Sequence, residues 1–486
     1  MIMDAADPRP ATVAEGTRWA RWAQIYGAVV AAGLAFFLWR IPVQVSDSLG
    51  NLMAVASVPW GDLLRDQFAS TAFFRPLLLA QTKALLDASA GHYFVVFRAF
   101  QVVQVFACVW LFVRMLRVRG GAQLAAAMVA VTVLTGSHTF AGTIREAYPI
   151  NNYMTVVLCC LVAVNVQMGE RSRWYSDVLV LAALTLAMGT IETGLLVWGC
   201  LFMGYVAAWR GVSRSALVIA TMLVVAYFAL RFVVLDVGTP NLMERSSGYG
   251  FRRLEPSELD ARFGAFPYPF YAYNIVASIG TVLFSEPRGG VWILPREWRA
   301  GNAEPWMWIN VVSSTLVTLL VGWYAASRTW RQRPLNWSHG QRLVWVAAAV
   351  IPVNAAISFP YTKGQIMSVG GLFFAAACYA AVAALLDAPP ARPLLRLLAA
   401  LVVAAIGVGW SWRVLGVQHS LLYSAFTQRN EWAHTDLWIR DHPESQRDPQ
   451  VAALVEALRI QAVSRRVANP HADPSPFEKY FDSETD

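Results

Sequence analysis

Apolar runs of about 18 residues or more recur along this chain, the length that an α-helix needs to cross a bilayer core about 30 Å thick. The sequence has 486 residues, of which 57% are hydrophobic and only 14% are charged. A soluble chain of this length would divide into several domains and carry far more surface charge. The sequence therefore predicts an all-α polytopic membrane protein.

We predict eleven transmembrane helices, with boundaries good to about four residues. The predicted spans are 24–41, 91–113, 121–138, 151–168, 177–190, 191–209, 215–236, 306–326, 343–358, 364–386 and 395–413. Short loops rich in arginine alternate with loops that hold few basic residues, and all the arginine-rich loops share one side if the N-terminus is cytoplasmic. This pattern predicts a cytoplasmic N-terminus and an extracytoplasmic C-terminus. The alanine- and arginine-rich composition favours a bacterial inner membrane.

The run 177–209 decides this number, because it is long for one span and short for two. Arg173 and Arg210 flank the run and must both be cytoplasmic in the same alternation. The letters MGTIETG at 188–194 supply glycines and polar groups at its middle. We therefore predict a tight hairpin of two short helices with its tip near the outer surface.

The chain divides into three parts. These are a cytoplasmic N-terminal segment (1–23), a transmembrane domain (24–413) with long outer loops at 42–90 and 237–305, and a polar extracytoplasmic tail (414–486) with an amphipathic helix at 448–466. Within the first outer loop, WGDLLRDQF at 60–68 predicts a helix lying in the membrane interface. The apolar face of that helix consists of Trp60, Leu63, Leu64 and Phe68. In the second outer loop, the apolar stretch 271–285 is compatible with a segment that dips into the membrane.

The composition also bears on partners. The net charge is +8, but no cluster of Lys and Arg interleaved with aromatic residues is present, which disfavours nucleic acid. All five cysteines fall inside apolar runs without metal-ligand spacing. We therefore predict no metal site, no resident cofactor and no disulfide framework. The bilayer itself is the first predicted partner.

Asp47, in the stretch RIPVQVSDSLGNL after the first span, is the first candidate for chemistry. One interpretation is a helix N-cap, since Ser and Asp side chains accept hydrogen bonds from free backbone N–H groups. The other is a general base. A carboxylate with an ordinary pKa near about 3.9 is ionised at neutral pH and can accept the proton of a nucleophile.

Two further outer segments carry arginines. Arg75, in STAFFRPLLLAQTKALLD, either snorkels to lipid headgroups or uses its planar fork to bind a phosphate. Arg145 and Glu146, in HTFAGTIREAYPINNY, form either a structural salt bridge or part of a substrate site that also includes Tyr148.

Two ionisable residues lie deeper in the apolar runs, where such groups are expensive and indicate function. Glu192 stands at the hairpin tip, either as a neutral hydrogen-bonded acid, or paired with Arg75 or Arg145, or as a group that orients a substrate. Arg231, in the seventh span, must find a partner or a water-filled cavity.

The stretch SFPYTKGQIMSVGG places Tyr361, Lys363 and Gln365 at the outer end of the tenth span. Lys363 is either an interfacial anchor or a cation that neutralises a lipid-linked phosphate.

The order of these features resembles the polyprenyl-phosphate-dependent membrane glycosyltransferases of the GT-C fold, especially those related to protein O-mannosyltransferases. The stretches that carry the resemblance are VQVSDSLGN, FFRPLLLAQTKALL, GTIREAYPINNYMTVVL, IETGLL, AYFALRFVVL and YTKGQIMSVGGLFFAAA. The resemblance implies that Asp47 takes the position of the catalytic acid. The family often has two adjacent acids where this chain has SDS, and often Lys where this chain has Ile191. The single acid argues against a metal-dependent variant.

The resemblance implies that Arg75, Arg145, Glu192 and Lys363 line the site of the donor phosphate and the acceptor. The expected substrates are a polyprenyl-phosphate sugar and a hydroxyl acceptor, and the expected outcome is inversion at the anomeric carbon. A transporter or flippase of envelope precursors is the main alternative, since it too collects ionisable residues within spans. A scramblase, a structural partner of an envelope complex, and a polymerase or ligase of lipid-linked glycans also stay open.

Overall fold

The computed structural model describes most of the chain. The described residues are 13–41, 47–69, 74–145, 152–236, 246–248, 251–254, 256–264, 266, 268–284, 293–329, 334–362, 364–387, 392–430, 443 and 448–463. Their regular structure is helical except for one short antiparallel hairpin, β1 (Ser246–Gly248) and β2 (Phe251–Leu254).

The helices follow the apolar runs and the polar segments between them. In chain order they are α1 (Val13–Leu38), α2 (Asp47–Ala56), α3 (Trp60–Ala69), α4 (Pro76–Ser89), α5 (Tyr93–Leu116), α6 (Gly121–Gly136), α7 (His138–Arg145), α8 (Asn152–Gln167), α9 (Trp174–Thr190), α10 (Leu196–Val206), α11 (Arg214–Ala229), α12 (Pro256–Phe263), α13 (Tyr268–Phe284), α14 (Ile293–Arg299), α15 (Pro305–Tyr324), α16 (His339–Ile357), α17 (Ser368–Asp387), α18 (Pro393–Asn430) and α19 (Pro449–Val463).

Seven helical segments in the described part are long and apolar enough to cross a membrane. They are Glu15–Leu38, Tyr93–Leu116, Arg214–Val234, Pro305–Arg328, His339–Ile357, Gly364–Asp387 and Pro393–Ala425. The number rises to eight if α6 and α7, which meet at an angle of 57°, form one broken span. The structure is therefore consistent with a polytopic membrane protein. The remaining predicted spans correspond to the shorter apolar helices α8, α9 and Glu192–Val206, so the number eleven stays a prediction.

Helix α17 forms the centre of the bundle. It is buried along almost its whole length and packs against α6, α15 and α16. Its composition explains this position, because its many glycine and alanine residues let neighbouring backbones approach closely, as in other membrane helix interfaces. The two short helices predicted for the run 177–209 are observed as α9 and α10, joined by a 3-10 turn, Glu192–Leu195, and the outer position of that turn stays a prediction.

Several predicted boundaries differ from the observed ones. Helix α1 begins at Val13, inside the predicted N-terminal segment, and α18 continues to Asn430, well past the predicted end at 413. The apolar stretch of the second outer loop forms α13, which packs against α15 and α16. Local hydropathy marks the apolar centre of each helix, whereas helix ends depend on capping and packing.

A second hydrophobic core joins the first outer loop to the C-terminal tail. Leu52 of α2 and Phe94 of α5 are buried in it together with Leu454 of α19. Of the predicted apolar face of α3, Leu63 is buried in this core, whereas Trp60, Leu64 and Phe68 are exposed on the protein surface. The pKa of Asp448, at the start of α19, is lowered mainly by a hydrogen bond with Ser57. Hydrogen bonds from the backbone N–H groups of Gln450 and Val451 lower it further.

This contact places the first outer loop and the tail on the same side of the membrane. We call the end of the bundle that carries residues 47–89 and α19 the loop face. The chain must then cross the membrane an even number of times between the loop and the tail. Because one span, in α1, precedes the loop, the total number of spans must be odd. Seven, nine or eleven spans satisfy this condition, and eight spans do not.

We expect single cysteines at Gly61 on α3 and at Ala453 on α19 to react with a membrane-impermeant maleimide from the same side. The five native cysteines are buried and give a low background. A cysteine at the exposed Ser172, between α8 and α9, is the control and should react only from the other side. Labelling of the Gly61→Cys and Ala453→Cys variants from opposite sides would contradict the shared loop face.

Candidate functional site

Three of the predicted site residues meet in one ionic cluster at the loop face. The Nη2 atom of Arg75 lies 2.7 Å from Oε2 of Glu192, and its Nε atom lies 3.1 Å from the same oxygen. The Nη1 atom of Arg231 donates to Oε1 of Glu192 at 3.1 Å and to the hydroxyl of Tyr227 at 3.2 Å. We call Arg75, Glu192, Arg231 and Tyr227 the arginine–glutamate cluster.

Local structure explains how each side chain reaches this cluster. Arg75 precedes Pro76, which begins α4, and a residue before proline is held out of the helical conformation. Glu192 begins the 3-10 turn between α9 and α10. A Cβ atom on Gly194 in that turn would lie only 2.2 Å from the carbonyl carbon of Ala187, so the turn can close only with glycine there.

Arg231 owes its position to a change in helix type. The chain leaves α11 in a π-helical turn, Leu230–Val234, closed by a bond from the Leu235 N–H to the Leu230 carbonyl. Such turns are rare and occur frequently at functional sites. Here the turn directs Arg231 into the protein, while Val233 and Val234 are exposed on the surface of the same segment.

The cluster carries one more positive than negative charge. Two guanidinium groups share the single carboxylate of Glu192, and Nε of the buried Arg231 has no hydrogen-bond partner among the described residues. Burial by itself would lower the pKa of Arg75, but the carboxylate of Glu192 raises it above the ordinary value. The side chains of Arg75 and Glu192 are 26% and 22% exposed, so the cluster is accessible from outside.

An aromatic row leads from the surface to this cluster. Phe68 on the exposed face of α3 contacts Phe74 with ring centroids 5.4 Å apart, and Phe74 contacts Tyr227 at 6.0 Å. Tyr153, at the start of α8, also acts electrostatically on Arg75. The charged cluster is therefore bordered by apolar and aromatic side chains.

A second group of predicted residues lies on α7 and on the segment after α16. Arg145 is the half-buried last residue of α7, and Gln365 packs against Gly142 of that helix. Tyr361 follows α16 in a turn closed by its own N–H and the carbonyl of Ser358. Asn354 of α16 fixes the segment that contacts α7, because it binds both the carbonyl of Ile366 and the N–H of Gly370.

Four predicted residues are not tested by this geometry. Asp47 is the first residue of α2, but its side chain lies outside what the structure describes. Glu146, Tyr148 and Lys363 also lie outside the described residues. Their predicted roles stay predictions. Within the described residues, no group of three or more His, Cys, Asp and Glu is arranged to hold a metal ion.

Sequence reasoning missed two buried arginines. Arg98 of α5 is fully buried, and its Nε atom donates to the carbonyl of Ile41, at the end of α1, at 2.6 Å. Arg413 of α18 is also buried and donates to the carbonyl of Gly136, where α6 ends. Both stand in apolar runs, so the cost of burying an ionisable group, the signal that identified Arg231, was present for them too.

No protein-family model, curated protein or solved structure matches this chain. Similarity therefore assigns it neither a fold family nor an activity. The chemistry has to be inferred from the residues themselves.

We expect Glu192→Gln to destabilise the protein more than Arg75→Gln or Arg231→Gln. Removing the acid leaves two cations without compensation, and breaking one side of a buried ion pair costs about 3 kcal/mol or more. Removing either arginine leaves a neutral pair. Thermal unfolding in detergent measures the difference. The double variant Glu192→Gln/Arg231→Gln is the control and should be no less stable than Glu192→Gln alone, whereas equal losses for all three single variants would contradict the shared-carboxylate arrangement.

Proposed function

We propose that this protein is an integral membrane glycosyltransferase of the GT-C type that moves a sugar from a polyprenyl-phosphate donor to a hydroxyl acceptor. The observation that carries the proposal is the arginine–glutamate cluster, with its surplus positive charge at the loop face. We further propose a bacterial inner membrane, with the loop face extracytoplasmic. Donor and acceptor are substrates, and no resident cofactor is required.

The cluster is suited to a phosphate that is about to leave. Negative charge grows on the phosphate oxygens as the glycosidic bond breaks, and preorganised cations stabilise that charge most strongly where water is excluded. Guanidinium groups present planar pairs of donors that match phosphate oxygens. Glu192 holds both arginines in place and neutralises one of the two charges when no donor is bound.

The surroundings of the cluster suit a lipid-linked donor. Phe68, Phe74 and Tyr227 form an aromatic row that begins at an exposed helix face. The exposed Val233 and Val234 border Arg231 on the other side. A prenyl chain lying in the bilayer can follow such apolar surfaces while its phosphate reaches the arginines.

In the proposed step, the acceptor hydroxyl attacks the anomeric carbon from the face opposite the phosphate. The bond from that carbon to the phosphate oxygen breaks, and polyprenyl phosphate leaves with the electron pair. The carboxylate of Asp47 accepts the hydroxyl proton, and the sugar inverts its configuration. The start of α2 favours an ionised acid at this position, because a helix N-terminus stabilises negative charge.

A second candidate is a transporter or flippase of envelope precursors. The observation that favours it is the break between α6 and α7, where the buried Arg413 binds the Gly136 carbonyl, since broken helices and buried charges are typical of transporter sites. A flux assay in proteoliposomes separates the two functions, because a transferase consumes its donor and releases polyprenyl phosphate without moving the intact donor across the membrane.

We expect Asp47→Asn to lower the rate of sugar transfer by about 100-fold or more, the usual contribution of a general base. The assay follows release of polyprenyl phosphate from a panel of polyprenyl-phosphate sugars by the purified protein. Asp62→Asn, which removes an exposed acid of α3, is the matched control and should retain activity. If Asp47 only caps α2, the Asn variant should turn over like the wild type, since Asn is an equally good cap.

We expect Arg75→Gln to raise the KM for the lipid-linked donor by about tenfold or more, because hydrogen bonds to charged groups contribute about 1.5–3 kcal/mol. Arg75→Lys should recover only part of this loss, since an ammonium group cannot bind phosphate in the bidentate manner of a guanidinium. Arg65→Gln, in an exposed ion pair of α3, is the control. A changed KM for the acceptor with an unchanged KM for the donor would contradict the assignment.

A further inference from the structure

A second concentration of positive charge lies at the end of the bundle opposite the loop face. Helix α5 begins in the core of the loop face, and its 24 residues span about 36 Å. At its far end, four chain segments meet: the turn after α5, the α8–α9 turn, the α10–α11 turn and the first turn of α16. We call the basic residues that they bring together the basic face. Its members are Arg117, Arg119, Arg210 and Arg342.

The backbone of this face is tightly joined. The N–H of Gly211 donates to the carbonyl of Gln167 at 2.9 Å, which links the α10–α11 turn to the end of α8. A Cβ atom on Gly211 would lie 2.0 Å from the carbonyl oxygen of Val166, so the approach requires glycine. The buried ring of Trp209 lies 6.3 Å from the ring of His339. The basic residues are therefore held together by rigid contacts between segments.

The basic side chains bind backbone carbonyls of neighbouring segments. Arg117 donates to the carbonyl of Met168, and Nη1 of Arg342 to that of Ala208 at 3.5 Å. The Nε2 atom of the neighbouring His339 donates to the carbonyl of Met115 at 2.9 Å. In the part of the chain that the structure describes, none of the four arginines has an acidic side chain within 4.0 Å. The positive charges are thus positioned without direct contact to an acid among these residues, although Glu170 acts on Arg117 from a greater distance.

This arrangement is electrostatically unfavourable as it stands. Burial, and then the charges of Arg119 and Arg342, lower the pKa of Arg117 from its ordinary value, although Glu170 acts in the opposite direction. The Nε atom of Arg342 is buried and has no hydrogen-bond partner among the described residues. A bound anion would relieve the repulsion and supply an acceptor for the N–H group at Nε of Arg342.

We propose that the basic face binds a phosphate group between the α5 end, the α10–α11 turn and the first turn of α16. Arg117, Arg119 and Arg210 are exposed and Arg342 is half-buried, so a headgroup at the membrane surface can reach them. Basic pockets between transmembrane helices on the positively charged side recognise anionic lipid headgroups in this way. The site is independent of the proposed transferase chemistry, because the two clusters lie at opposite ends of the bundle.

Lipid binding to the detergent-solubilised, full-length protein tests the proposal. The probes are phosphatidylglycerol, phosphatidylcholine and inorganic phosphate, each titrated while bound ligand is counted by native mass spectrometry. We expect phosphatidylglycerol to bind more tightly than phosphatidylcholine, with affinity falling about fivefold for each arginine removed. The variants are Arg342→Gln and Arg117→Gln. Arg119→Gln, in an exposed turn, replaces either of them if it fails to fold.

The matched control is Arg214→Gln, which removes an arginine at the start of α11 outside the basic face. It should keep the wild-type preference for phosphatidylglycerol. Binding of inorganic phosphate with the same dependence on Arg342 would also support the site and would identify free phosphate as its ligand. Equal affinity for both lipids, or equal losses in the control and the basic-face variants, would overturn the proposal.

Discussion

The double ion pair of Glu192 connects three parts of the chain that are distant in sequence. Arg75 lies 117 residues before Glu192, and Arg231 lies 39 residues after it. Removing three charges from water is costly, and apolar residues of similar size often stabilise such a junction as well as ions do. Stabilisation of the fold therefore does not by itself explain why the chain has this cluster. Its surplus positive charge, beside the aromatic row, is suited to binding an anion.

The loop face is organised around this connection. Helices α2, α3 and α4, the beginning of α5 and the tail helix α19 share one hydrophobic core. Arg98 adds a polar tie, because it holds the end of α1, from which the chain continues to α2 and Asp47. Helices α2, α3 and α4 are thus packed between α5 and α19. An enzyme that joins a lipid-linked sugar to an acceptor needs such a covered surface, since water competes with the acceptor hydroxyl.

The two ends of the bundle differ in which groups contact their positively charged side chains. At the loop face, Glu192 compensates part of the charge of two arginines. At the basic face, the arginines bind carbonyl groups, and no acid within 4.0 Å is found in the described part of the chain. Arginine is generally enriched in the short loops on one side of membrane proteins, which explains why arginines occur at one end. This bias does not explain why the turn after α5, the α10–α11 turn and the first turn of α16 bring their arginines together.

The sequence alone determined the class of the protein, because the free energy of placing a segment in a bilayer is a sum over about 20 consecutive residues and can be read locally. The arginines that flank the run 177–209 predicted its helical hairpin, and the cost of burying a cation predicted that Arg231 needs a partner. Only the tertiary structure decided that Glu192 pairs with Arg75, where the sequence offered Arg145 as an equal choice. It also decided that Leu63 is buried, although the helical pattern groups it with exposed residues. Arg98, Arg413 and the basic face became visible only once the helices were packed. Contacts between distant segments depend on the relative positions of whole helices, and no local pattern of residues encodes those positions.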